Sequence, residues 1–250
     1  MKNALVIGGQ SGIGKGIANA LAAYYDNVFV GDINVQPQEA SARCFYVDAL
    51  DKESVTSLQL QLSKNITHLD ALIITIGVID EGSILKVPLE KWEWMLRGNL
   101  LGSVLLVDTF LPLLQKSKEA RVLLTSSGSG WGNMQAESGL GLYSVTKHAM
   151  NGYYKALKAE LAKQNIQVSL LVPSAIKGNL ATHSAAFRSS RLGEAYAESK
   201  GQQPAGRILE DADIAGRAFV ADFLVGKAII TNNTEQLLRK GEEDLEHLSL

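Results

Sequence analysis

Short apolar runs recur along the chain, and between them lie longer stretches in which apolar residues return every three or four positions. The runs predict strands at 3–7, 28–32, 43–47, 69–75, 121–126, 166–172 and 228–231. The longer stretches predict helices at 12–24, 52–64, 89–115, 144–163 and 211–224, with a break expected in the third near 97–102. The strand segments are almost continuously apolar and do not alternate with polar residues, so both of their faces need cover. Regular alternation of such strands with helices predicts an α/β architecture: a doubly wound parallel sheet of about seven strands with helices on both faces. No linker rich in Pro or Ser interrupts the pattern and no internal repeat is evident, so a single domain over 1–250 is expected. The segment 178–207, rich in Ala, Ser and Gly after a strand end, reads as a mobile flap with one or two short helices.

Composition narrows the function classes. With 46% hydrophobic and 20% charged residues over 250 positions, the chain has a globular balance and enough length for a full core. A formal charge of −2, without a run of Lys or Arg, argues against nucleic acid as a partner. A single cysteine, Cys44, excludes an intrachain disulfide and fits a reducing, cytoplasmic setting. The apolar start "MKNALVIGG" is too short for a leader, and "GSVLLVDTFLPLLQ", which carries Asp108 and Pro112, is too short to span a bilayer, so no membrane is expected. His68, His148, His183 and His247 have no metal-ligand spacing, and no metal is expected.

The first strand runs into "GGQSGIGKG" and then a helical period. Gly8 permits a tight turn, while Gly12 and Gly14 let the backbone approach a pyrophosphate and pack close to the sheet. Free N–H groups at the helix start would hold the phosphate oxygens. The second strand ends at Asp32, whose carboxylate suits the two ribose hydroxyls of an adenosine and repels a 2′-phosphate. Neither Arg nor Lys neighbours Asp32, and Ser11 precedes Gly12 where a base would favour the phosphate, so NAD is favoured over NADP. Asp48, at the end of the third strand, is placed to meet an adenine amino group.

"GLGLYSVTKHA" sets Tyr143 and Lys147 four residues apart, one above the other on a helix face. A tyrosine near pKa 10 is a poor base at neutral pH, and a nearby ammonium would draw it toward the working range. Tyr143 is then a proton acceptor for an alcohol and a donor to a carbonyl.

Together, "GGQSGIG", Asp32, Asp48, "GN" at Gly98–Asn99, "LLTSS" ending at Ser127 and "YSVTK" from Tyr143 resemble the short-chain dehydrogenase/reductase family, classical type, over about residues 3 to 231. The resemblance implies a Rossmann fold and a catalytic set of Ser127, Tyr143, Lys147 and Asn99. Ser127 would hold the substrate oxygen against Tyr143, with Ser126 and Ser129 as alternatives. Lys147 would bond the nicotinamide ribose, and Asn99 would interrupt a helix and help hold a water in the proton relay. It also implies cofactor contacts from Gly8, Gln10, Ser11, Gly12, Ile13, Gly14, Asp32, Ile33, Asp48, Ala49, Thr75, Ile76, Gly77, Tyr143, Lys147, Pro173, Ser174 and Ile176. The helices at 89–115 and 144–163 would form the interface of a homodimer or homotetramer.

The chain departs from the family pattern in several places. The usual spacing from serine to tyrosine falls on Gly130, so an expansion after Ser127 is expected. "ITIG" at 74–77 replaces "NNAG", Pro173–Ser174 replaces "PG", Ile7 replaces the usual threonine, and "TNNTEQLL" replaces "VDGG". Gly178 stands where a threonine would touch the carboxamide, leaving that contact to backbone groups or to Asn179 and Thr182. Trp131 is either a packing residue or part of a substrate pocket; Arg188, Arg191 and Lys200 would attract an acidic substrate, but Glu194 and Glu198 offset them, and mobile surface charge is the simpler reading. The expected activity is NAD(H)-dependent hydride transfer between a secondary alcohol and a ketone. The alternatives are an NADPH-preferring biosynthetic ketoreductase and a non-catalytic dinucleotide sensor.

Overall fold

A computed structural model of the chain describes residues 1–35, 43–131, 139–193 and 209–234. Its elements run β1 (Asn3–Ile7), α1 (Gly12–Leu21), β2 (Asn27–Asp32), β3 (Cys44–Tyr46), α2 (Lys52–Ser63), β4 (Ala71–Ile74), α3 (Leu89–Leu96), α4 (Gly102–Leu114), β5 (Arg121–Thr125), α5 (Gly141–Ala162), β6 (Gln167–Leu171), α6 (Leu180–Leu192), α7 (Ala212–Leu224) and β7 (Ile229–Ile230). The strands form one parallel sheet in the order β3-β2-β1-β4-β5-β6-β7. The winding reverses between β1 and β4, where Ala4 pairs with Ala71 and Ile7 with Ile74. A crevice at the carboxyl ends of such strands is where this architecture collects its ligands.

The continuous apolar strands are explained by two cores. Successive residues of a strand point to opposite faces. Ala4 and Val6 of β1 pack with α1 and α7 around Ile17, Leu21, Phe219 and Phe223. Leu5 and Ile7 pack on the other face with α2, α4 and α5, around Leu58, Phe110 and Met150. Gly16 and Gly216 let α1 and α7 touch backbone to backbone: a Cβ on Gly16 would stand 2.0 Å from the Ala212 carbonyl oxygen.

The sequence boundaries shift in ways that bear on the site. The helix expected from 144 starts at Gly141, so Tyr143 sits inside its first turn, and the Ser144 N–H donates to the Leu140 carbonyl at 2.8 Å. The break expected near 97–102 is a π-helical turn, Arg97–Leu101, joining α3 to α4 without a stop. The continuous helix Leu89–Leu114 is thereby long and apolar enough to cross a membrane, unlike the shorter apolar run read from the sequence. Its residues Leu106, Val107, Phe110, Leu113 and Leu114 are nevertheless buried in the core beneath the sheet. The segment expected as a flap from 178 contains α6, a helix of 13 residues docked on the protein. Residues 194–207 of that segment, with Lys200, lie outside the described residues, as do loop residues 132–138 and the tail from 235.

Gly16→Ala is expected to destabilise the fold by about 3 kcal/mol, because the obstructing atoms are backbone. Gly152→Ala, where a Cβ meets nothing within 4 Å, is the matched control. It should be neutral or stabilise by up to about 1 kcal/mol. Urea unfolding of both variants checks the pair.

Candidate active site

The carboxyl ends of β1, β2, β4, β5 and β6 border a cleft of about 880 Å³, within the usual range for small-molecule and cofactor sites. At one end lies the glycine turn between β1 and α1. Gly8 has φ +84° and Gly12 φ +50°, the left-handed region that favours glycine. A Cβ on Gly14 would stand 2.1 Å from the Gly8 carbonyl oxygen and 2.4 Å from the Thr75 hydroxyl. The helix that follows has no side-chain cap from Ser11 and no acidic residue in its first turn, whereas Asp51 caps α2 and Asp211 caps α7. The first N–H groups of α1 are therefore left for an anion. This cradle, which side chains would fill, fits a pyrophosphate.

Asp32 lines the cleft beside it. Its Oδ2 accepts the Gln10 N–H at 3.0 Å, and its Oδ1 accepts the backbone and side-chain N–H groups of Asn34 at 2.9 and 3.0 Å. Ile33, Asp48 and Ala49 continue the wall. Asp48 differs from expectation. Its Oδ1 accepts the Leu50 N–H at 2.9 Å, and its Oδ2 is paired with the Arg191 guanidinium of α6. The guanidinium also lies 5.2 Å from the centroid of the Phe187 ring. Arg191 is thus no mobile surface charge but a bridge to the expected adenine partner.

Tyr143 and Lys147 meet Ser127 at the other end of the cleft. Tyr143 is 7% exposed, enclosed by Val78, Trp94, Met95 and Leu142, and Lys147 is 2% exposed. The Lys147 Nζ lies 5.6 Å from the Tyr143 ring centroid and donates to the Thr125 carbonyl at 3.1 Å. Burial holds the Lys147 ammonium down to about 8. For Tyr143 the balance departs from the sequence expectation: burial raises its pKa, and a hydrogen bond with Ser127 lowers it in part. The ammonium lies by the ring, and loss of water from the phenol outweighs what its neighbours return.

Among the three candidate serines, the geometry selects Ser127. All three line the cleft, but the Ser126 hydroxyl is spent on Asn151 Oδ1 at 2.6 Å and Ser129 donates its backbone N–H to Ser127 Oγ at 3.1 Å, whereas the Ser127 side chain is hydrogen-bonded to Tyr143. The usual serine position, Gly130, has no room for a side chain. A Cβ there would stand 2.9 Å from the Lys147 carbonyl oxygen. Asn99, in the π-helical turn, does not line the cleft. Its Oδ1 accepts the Val78 N–H at 2.7 Å, and its Nδ2 donates to Val78 O and Thr146 Oγ1, each at 2.9 Å. Gln10 also stays outside the lining, reaching Cys44 Sγ through its side chain at 2.8 Å.

Two departures from the motifs are compensated. Thr75 in "ITIG" donates its hydroxyl to the Ile7 carbonyl at 2.8 Å and reaches the Gly8 carbonyl at 3.3 Å, tying β4 to β1 with one side chain. The two changes at "PS" and "TNN" meet each other, since Asn232 Oδ1 accepts the Ser174 N–H at 2.8 Å and its Nδ2 donates to Glu210 Oε2 at 2.5 Å. Gly178 packs against the glycine turn, its Cβ direction 3.4 Å from Gly12 Cα. Asn179 lines the cleft and Thr182 does not.

The segment expected as a flap walls the cleft through α6, but its side-chain pairings were not foreseen. Ser184 accepts the Ile79 N–H at 2.9 Å. Arg188, 1% exposed, pairs with Asp80 Oδ1 at 2.6 Å, while Lys91 pairs with Asp80 Oδ2. The recurrence of 180, 184, 187, 188 and 191 on one helical face was the available signal. Trp131 packs against the core and does not line the cleft.

The chain that carries this cleft is matched by sequence and by fold. Residues 2–189 match the family model described as short chain dehydrogenase. Over 248 aligned residues the chain is 27% identical to the 3-oxoacyl-(acyl-carrier-protein) reductase FabG of Aquifex aeolicus, covering 92% of this chain and 96% of that one. It is 28% identical to the oxidoreductase UcpA of Escherichia coli, over 72% of this chain and 71% of that one. A short chain dehydrogenase/reductase from Burkholderia phymatum in complex with NAD superposes with a TM-score of 0.79 at 19% identity, covering 99% of this chain and 95% of the other. The Pseudomonas aeruginosa RhlG/NADP active-site complex gives 0.71 at 25% identity, over 92% and 94%. With its parallel sheet, its cradle and its family match in agreement, the chain belongs to the short-chain dehydrogenase family and is an oxidoreductase of the CH–OH/C=O class.

Proposed function

We propose that the protein interconverts a secondary alcohol and its ketone with NAD(H), Tyr143 moving the proton. The observation that carries this reading is the cluster of Tyr143, Ser127 and Lys147 at one end of a cleft whose other end holds the glycine cradle and Asp32. The N–H groups of α1 would take the pyrophosphate, Asp32 the adenosine ribose, and Lys147 the nicotinamide ribose. Bound there, the nicotinamide supplies or accepts the hydride. For reduction, the Ser127 and Tyr143 hydroxyls hold the carbonyl oxygen, and the Tyr143 hydroxyl gives it a proton as the alcohol forms. Oxidation runs the same transfer backward, with Tyr143 accepting the alcohol proton. Burial keeps the phenol protonated, which favours its use as a donor. NAD is preferred because the Asp32 carboxylate would repel a 2′-phosphate and Asn34, not a base, lies beside it. The likeness to a reductase of acyl-carrier substrates supports a second reading, an NADPH-preferring ketoreductase, and Asp32 opposes it. An even-numbered oligomer, built on partly buried apolar residues such as Leu105 and Leu111 of α4 and Tyr153 and Leu157 of α5, belongs to the same proposal, as does a cytoplasmic setting.

Tyr143→Phe should lower turnover of secondary alcohols or ketones by at least about 10²-fold while the NADH dissociation constant stays within about twofold. Equal turnover would defeat the mechanism, and tighter binding of NADPH than NADH in a fluorescence titration would defeat the cofactor assignment.

Adenine and Arg191 compete for the Asp48 carboxylate in this reading, so Arg191→Met should tighten NADH binding by about two- to fivefold. The same fluorescence titration measures it, and weaker binding would count against the competition.

Lys147 adds a pH signature. Its folded value of about 8 lies below the ordinary 10.5. Between those values the unfolded chain holds a proton that the folded chain has lost, so stability rises with pH there; the burial penalty on the ammonium is fully present below about 8. Tyr143, raised by burial, acts oppositely above its ordinary 10.0. Relative to Lys147→Met, the wild type should gain about 1–2 kcal/mol from about pH 7.5 to about pH 9.5, as read by chemical denaturation at both values.

A further inference from the structure

Tyr143, Lys147 and Asn151 follow one another at single-turn intervals along α5. Tyr143 and Lys147 line the cleft. Asn151 does not; it is turned toward the segment that carries Ser127. Its Nδ2 donates to the Gly130 carbonyl at 2.6 Å, and its Oδ1 accepts the Ser126 hydroxyl at 2.6 Å. That hydroxyl also approaches the Lys147 carbonyl, at 3.3 Å. Gly130 presses on the backbone of Lys147 so closely that a Cβ would stand 2.9 Å from the Lys147 carbonyl oxygen. Ser127 is thus bracketed by two residues held through one amide. Inside the bracket its Oγ accepts the Ser129 N–H at 3.1 Å, and its carbonyl accepts the Gly130 N–H at 2.9 Å.

We propose that Asn151 is a positioning residue that clamps the segment from Ser126 to Gly130 onto α5 and so holds the Ser127 hydroxyl against that of Tyr143. The chemistry demands an amide. The Gly130 carbonyl only accepts, so it needs a donor, while the Ser126 hydroxyl, set between two oxygens, needs an acceptor. A carboxylate cannot donate to Gly130, and an apolar side chain makes neither bond. The clamp also accounts for the lengthened spacing between Ser127 and Tyr143. Residues added after Gly130 leave the bracket intact, because both of its contacts on α5 lie at or beyond Lys147. Misplacing a reacting group by about an ångström is enough to slow a reaction about 10²-fold.

The catalytic part of the inference rests on the proposed roles of Ser127 and Tyr143, and the clamp itself does not. Asn151→Leu removes both bonds at similar volume. Ser126→Ala, which leaves the amide in place but unoriented, serves if Asn151→Leu does not fold. In either variant, hydrogen exchange of the Ser129, Gly130 and Trp131 amides should quicken by about tenfold or more, with the rest of α5 unchanged. On the ketone or alcohol that the wild type turns over fastest, kcat should fall by about tenfold or more while KM and the NADH dissociation constant stay within about twofold. The kcat–pH limb for alcohol oxidation should move to higher pH, because Ser127 no longer stabilises the Tyr143 phenolate. Unchanged exchange in the Ser127 segment overturns the clamp. A lowered Tm with kcat per NADH-binding site and the pH limb both unchanged overturns the positioning role, leaving Asn151 merely structural. Exchange is read without substrate, so a wild type inactive on every compound tested counts against the proposed function, while the clamp stands or falls on the exchange result.

Discussion

An ammonium group buried between β5 and α5 is the constraint around which the chemical end of the cleft is built. Lys147 is 2% exposed, and its hydrogen bond goes to a backbone carbonyl, that of Thr125. Charge in such a place is tolerated only where surrounding dipoles are fixed. Several neighbouring contacts serve to fix them. Thr125 donates its hydroxyl to the Ile74 carbonyl at 2.7 Å, locking the end of β5 to β4. Asn99 is braced by Val78 and Thr146, and a Cβ on Gly77 would come within 3.1 Å of its Oδ1 and 3.5 Å of the Lys147 Nζ. Glycine at 77 keeps the approach to the ammonium open.

The cofactor end depends on backbone proximity where the chemical end depends on buried polarity. Gly8, Gly14 and Thr75 meet at distances that no side chain at 14 would allow. Thr75 then supplies, with one hydroxyl, a tie between the end of β4 and β1. At the far strand ends, Asn232 joins the segment after β6 to Glu210 and so to the start of α7. The altered motifs are therefore alternative solutions to one requirement, that buried backbone groups at the strand ends be satisfied.

One helix, α6, spans both ends. Its Arg188 is held in a buried cluster with Asp80 and Lys91 beside the Tyr143 wall, and its Arg191 reaches Asp48 at the expected adenine subsite. The two anchors differ in kind. A buried pair resists removal of either partner because the other charge would be stranded. The Arg191 pair is partly open to water, where an ion pair contributes little. The helix is thus firmly fixed beside Tyr143 and more openly fixed over Asp48.

Much of this was written in local order along the chain. The parallel sheet followed from continuous apolar runs, the phosphate cradle from a strand, glycines and a helix in sequence, and the Tyr143–Lys147 pair from one helical turn, because each depends on neighbours within a few residues. Strand ends were less legible, since pairing and not composition decides where a strand stops: β3 keeps only Cys44–Tyr46. Asn151 reads as an ordinary polar residue of a helix, and Arg188 as surface charge. The sequence by itself determined the architecture, the glycine cradle and the pairing of Tyr143 with Lys147 on one helix face. Only the tertiary structure decided that Ser127 bonds Tyr143 while the Ser126 hydroxyl is taken by Asn151, that Asn151 also holds the Gly130 carbonyl, and that Arg188 and Arg191 are paired with Asp80 and Asp48. Those partners are 108 and 143 positions away, and no periodicity along a chain encodes a contact that exists only once the sheet has brought its strand ends together.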